Sequence, residues 1–64
     1  MNEQNYRKAR TDAGVTVERA AVEMGVSVTT IYNWERGVTQ PDANNVRAMA
    51  QLYGVRADYL LGME

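Results

Sequence analysis

Sixty-four residues, with seven Lys and Arg against eight Asp and Glu, give one small domain of net charge −1. That leaves no room for a second core and supplies no globally basic surface of the kind that marks many nucleic-acid binders. The absence of Cys and His excludes disulfides, thiolate and imidazole metal sites, a thiol nucleophile and an imidazole base, so neither catalysis nor a metal or cofactor is expected.

In chain order, residues 2–13 lack Gly and Pro and place Tyr6, Ala9 and Ala13 at helical spacing, which predicts helix 1, stopped at Gly14. Thr16 is an N-cap candidate for helix 2 over 16–24, with Ala20, Ala21 and Met24 on one face and Gly25 ending it. Ser27 caps helix 3 over 27–36. The β-branched run Val28, Thr29, Thr30 and Ile31 would by itself suggest a strand. The cap, the spacing of Ile31 and Trp34 and the closing Gly37 favour helix instead. GVTQPD is a loop, because Pro41 cannot lie within a helix, and Asp42 starts helix 4 over 42–53. A last short helix covers 56–61. The fold class is all-α, a compact five-helix bundle, without linker, repeat or low-complexity segment. No apolar run approaches the ~18 residues of a membrane span, and MNEQNYRKAR lacks a signal peptide's apolar stretch. The chain is therefore expected in the cytoplasm, with no membrane partner and no evident small-molecule ligand.

The expected core is thin: Leu, Ile, Val and Phe total only 12 residues, and a domain this size buries about 60% of its unfolded surface. Tyr6, Ala9, Val15, Ala20, Met24, Ile31, Trp34, Val46, Met49, Ala50, Tyr53, Val55 and Leu60 are assigned to it. The informative unit is VERAAVEMGVSVTTIYNWER at 17–36. Two helices crossing at roughly 90–120° through a tight turn come very close. Ala21 permits that approach, Gly25 supplies the turn, and Ile31 and Trp34 press the second helix onto the first. A helix held out in this way fits a DNA major groove, about 12 Å wide.

The chain resembles the lambda-repressor-like helix-turn-helix domains of the XRE/Cro class over residues 6–62. The carriers are RTDAGVT at Arg10–Thr16, AAVEMGVS at Ala20–Ser27, TIYNWERG at Thr30–Gly37, Pro41-Asp42 and YGVRADYLLG at Tyr53–Gly62. The resemblance implies a structural ion pair between Arg10 and Glu35. It also implies that Val28, Thr29, Tyr32 and Asn33 face base edges, flanked by Ser27 and Thr30. Asn33 suits an adenine edge, and Val28 with the Thr29 methyl suits thymine methyls, which biases the half-site toward A·T. Partial packing of Val28, solvation of Thr29 and Thr30 and simple exposure of Tyr32 are the competing readings. Phosphate contacts are expected from Arg10, Thr16 and Val17 with the amides that follow, Arg36, Gln40 and Asn44. Val17 stands where many relatives carry Gln, and Gln40 stands where a polar or basic residue often precedes the Pro-helix turn.

The function implied is a small sequence-specific regulator, a repressor of the kind found in bacteria, phages and mobile elements, bound to a double-stranded operator. Few base contacts from one domain suggest a homodimer, with Tyr59, Leu61 and Met63 as contact candidates. Net charge, Val17 and a cation-poor helix 3 keep a second reading open, in which the same fold makes protein contacts as an antirepressor or antitoxin-like partner. Arg10, Arg36 and Arg47 are assigned near the groove-facing side, and Glu3, Asp12, Glu23, Asp58 and Glu64 away from it.

Overall fold

A computed structural model describes residues 4–63. Among them are five helices: α1 (Tyr6–Asp12), α2 (Val17–Met24), α3 (Val28–Arg36), α4 (Ala43–Tyr53) and α5 (Ala57–Leu60). The arrangement is all-helical. α2 packs on both α3 and α4, α1 touches the same two helices, and α5 closes against α4. No helix among the described residues is long and apolar enough to cross a membrane.

The helix ends follow from local chemistry. Thr16, Ser27 and Asp42 are extended, and each side chain accepts the N–H three residues on, from Arg19, Thr30 and Asn45. These bonds satisfy donors that the first helical turn leaves open. The ranges read from sequence counted these cap residues, and Arg56 and Leu61 around α5, as helix. At α2's end Gly25 has φ +69°, and the Val26 N–H reaches back to the Ala21 carbonyl at 3.0 Å. Only a residue without Cβ adopts that turn at no steric cost. The β-branched start of α3 is helical because propensity differences of a few tenths of a kcal/mol yield to the Ser27 cap and the burial of Ile31 and Trp34.

Helix 1 begins later than its residue pattern suggests. Residues 2 and 3 lie outside the described residues, and Gln4 and Asn5 are not helical. Both are held by distant partners instead. Gln4 Nε2 donates to the Trp34 and Glu35 carbonyls at 3.2 and 2.9 Å, while its Oε1 accepts the Tyr6 N–H. The Asn5 N–H donates to the Leu60 carbonyl at 2.9 Å and its side chain to the Tyr59 carbonyl at 2.7 Å. Tertiary bonds, not helix propensity, fix the start of α1.

The core gathers Tyr6, Ala9, Val15, Val17, Ala20, Ala21, Ile31, Trp34, Val46, Met49, Tyr53 and Leu60. Alanines at the crossings let backbones approach, and Tyr6, Trp34 and Tyr53 fill the volume that larger aliphatics would have taken. Val17 and Ala21 are buried although the core assignment omitted them, whereas Met24, Ala50 and Val55 are only partly covered.

Gly25→Ala tests the turn. A Cβ there meets no atom within 4 Å, so the cost is conformational alone, about 1–2 kcal/mol. The urea midpoint should fall with the m-value unchanged, and Gly25→Asn should lose less.

Candidate nucleic-acid interface

Burial of Ile31 and Trp34 fixes which side of α3 faces out. Ser27, Thr29, Tyr32 and Arg36 are exposed, while Val28, Thr30 and Asn33 are half-buried. Val28 packs against the core cluster, so its methyls are shared between core and surface. The Ser27 and Thr30 hydroxyls lie 2.9 Å apart and bond each other. Ser27 Oγ also accepts the Thr30 N–H, which commits this pair to capping first.

Asn33 is oriented by its neighbour. Arg36 Nη2 donates to Asn33 Oδ1 at 2.7 Å. A guanidinium has only donors, so the amide must turn its oxygen toward Arg36 and present its NH₂ elsewhere. The exposed ridge of α3 thus offers an amide donor, a phenol, hydroxyls and methyl groups, with its one cation at the C-terminal end.

The helix is tied down from behind. Arg10 Nε donates to Glu35 Oε2 at 2.7 Å and Nη2 to Oε1 at 3.2 Å, the two-point geometry of a strong charge-assisted pair. The side chains are 11% and 4% exposed. Arg10 Nη1 donates to the Val15 carbonyl at 3.0 Å, and the Val15 N–H returns to the Arg10 carbonyl at 3.1 Å. The bond to Glu35 raises the Arg10 pKa further, keeping it charged. Arg10 was also expected to reach phosphate. It is buried, and three of its five N–H groups are committed to Glu35 and Val15.

Tyr53 lies near this pair. Its hydroxyl is buried and finds no hydrogen-bond partner among the described residues. Burial, reinforced by the Glu35 charge and opposed by Arg10, pushes its pKa from 10.0 up to about 12.

The remaining candidates sit on the rim. Thr16 is exposed at the start of α2 with its Oγ1 accepting the Arg19 N–H. Val17 is buried, which leaves only its backbone for a ligand. Gln40 and Asn44 are exposed, on the α3–α4 loop and in the first turn of α4. Arg47 lines an apolar groove of about 640 Å³ formed by α4, α5 and Pro41. Leu61 lines it too and is 38% exposed, Met63 is 71% exposed, and Tyr59 is half-buried. Asp12, Glu23 and Asp58 are exposed, and Glu3 and Glu64 lie outside the described residues. Gln4 was missed: a polar side chain ahead of a helix carries no local signal that it will bond carbonyls thirty residues away.

A helix-turn-helix family model matches residues 7–60. Over 58 residues the chain is 34% identical to the HTH-type transcriptional regulator ImmR of Bacillus subtilis (strain 168), across 91% of this chain and 46% of that protein. The chain therefore spans about half of that relative's length. Among solved structures it is similar to the P22 c2 repressor protein, crystallised in complex with synthetic operator 9T in the presence of Tl+. The TM-score is 0.83 at 28% identity, over 94% of this chain and 91% of that one.

Two outcomes follow from the tie behind α3. Glu35→Ala leaves a buried guanidinium without its counter-charge and should cost about 3 kcal/mol or more. Glu23→Ala, at an exposed site, should stay within about 0.5 kcal/mol, with thermal melts as the comparison. Because the folded Tyr53 pKa lies above its unfolded value, its contribution to stability is complete below pH 10. It is lost as pH rises from 10 toward 12. Tyr53→Phe should flatten that alkaline decline in chemical denaturation across the window.

Proposed function

The chain belongs to the helix-turn-helix family, and from that premise we propose that it is a sequence-specific double-stranded-DNA-binding regulator that lays α3 in the major groove. The observation that carries the reading is the outward face of α3, held rigid by Ile31 and Trp34 beneath it and by the Arg10–Glu35 bond behind it. ImmR is named as a transcriptional regulator and the P22 c2 repressor is bound to operator DNA, which supports the same reading.

In this reading Val28, Thr29, Tyr32 and Asn33 meet base edges, with Ser27 and Thr30 at the margin. The Asn33 NH₂ donates to a base acceptor, and the second lone pair of its oxygen still accepts from an adenine amine. Val28 and the Thr29 methyl contact thymine methyls. No Lys or Arg stands between Ser27 and Glu35, so the commonest guanine contact is missing and the half-site is A·T-biased. Phosphates are met by the Thr16 and Val17 amides, Arg36, Gln40 and Asn44. A second copy docks through Tyr59, Leu61 and Met63, of which Leu61 lines the apolar groove of α4 and α5, and sets two half-sites about 34 Å apart. The regulator acts in the cytoplasm by occupying its operator as a repressor.

Selection from random duplex DNA, then anisotropy of the winning duplex across a salt series, tests the proposal. An enriched A·T-rich motif is expected, with affinity falling by about 0.9 log unit per log unit of salt for each phosphate contact. Asn33→Ala should relax selection at one position by about 1–3 kcal/mol. No enriched sequence, with no binding even at low salt, overturns the reading in favour of a protein-contact module.

A further inference from the structure

Three of the chain's seven cations converge on one place. Arg7, Arg10 and Arg36 line a surface depression of about 340 Å³, together with Tyr32 and Glu35. The carboxylate there does not cancel the cations that face solvent, because Glu35 is buried and both its oxygens are bonded to Arg10. What remains at the surface is Arg7 and Arg36. Arg7 is exposed and has no ion pair among the described residues, whereas neighbouring Lys8 is bonded to Asp12 at 3.1 Å. Arg36 gives one N–H to Asn33 and keeps other donors of its five. Tyr32, 45% exposed, adds a phenolic hydroxyl.

The place would otherwise repel anions, since a helix C-terminus carries partial negative charge. Gln4 counters this by donating to the Trp34 and Glu35 carbonyls. A chain of net charge −1 therefore presents a locally cationic depression beside the last turn of its outward helix. Arg7 stands on α1 and not on the outward helix, a position suited to flanking backbone and not to a base edge.

We propose that this depression seats a DNA backbone phosphate, with Arg7 as its principal contact and Arg36 as a supporting donor. The proposal rests on the DNA-binding reading above and adds a contact from α1 that holds the C-terminal end of α3 on the strand.

The experiment uses the duplex selected by the unmodified protein and compares Arg7→Gln with Arg56→Gln. Arg56 pairs with Asp58 on the N-terminal side of α5 and lies outside the depression, so both variants lose the same net charge. Arg7→Gln should make the slope of log affinity against log salt shallower by about 0.9 while selecting the same motif. Arg56→Gln should keep the original slope. Arg7→Glu should weaken binding further at low salt, and thermal melts of all three should match the unmodified protein. An unchanged slope for Arg7→Gln overturns the site, and so does an equal loss in both variants, which would report bulk charge alone. Failure of the unmodified protein to bind any duplex overturns the DNA-binding reading itself and is a separate result.

Discussion

The bond between Arg10 and Glu35 sets the geometry on which everything else rests. It joins the last turn of α1 to the last turn of α3, and through Arg10 Nη1 it also holds the α1–α2 loop at Val15. Two desolvated charges often contribute little net stability, because their mutual attraction barely offsets the loss of water. Their value is angular. A two-point guanidinium–carboxylate contact permits one relative orientation of two helices, and so it fixes how far α3 projects.

The rest of the core is arranged around this demand. Ala9, Ala20 and Ala21 let helices cross closely, at the expense of the apolar area that leucines would have buried. The aromatic rings recover part of it, and Tyr53 brings a hydroxyl into the interior near the ion pair. That hydroxyl is tolerated as a neutral group, and its raised pKa is the direct sign that charge is unwelcome there.

Much of this was legible in the sequence because helix boundaries are written locally. Thr16, Ser27 and Asp42 each cap the helix that follows, as their side-chain chemistry suggests, and Gly25, Gly37 and Gly54 terminate as glycines do. The family pattern supplied the Arg10–Glu35 pairing, which no spacing rule gives. Features set by distant partners were not legible. Nothing near Gln4 announces that its amide will bond carbonyls of α3 and so hold back the start of α1. Val17 reads as an exposed helix N-terminus until the fold turns its side chain inward. Arg10 was paired with Glu35 and also assigned to phosphate, and nothing local announces its further bond to the Val15 carbonyl.

The hydrogen bonds of Asn5 to the Leu60 and Tyr59 carbonyls give the domain a closed circuit. α1 is seated on α5, α5 on α4, and α1 in turn carries the arginine that holds α3. Among the described residues α1 and α5 brace each other, since loosening α5 removes the seat of α1. Opening should therefore engage the domain as one cooperative unit, so the outward helix is either fully presented or lost with the rest. The smallness that leaves the core thin also leaves little scope for a half-formed binding surface.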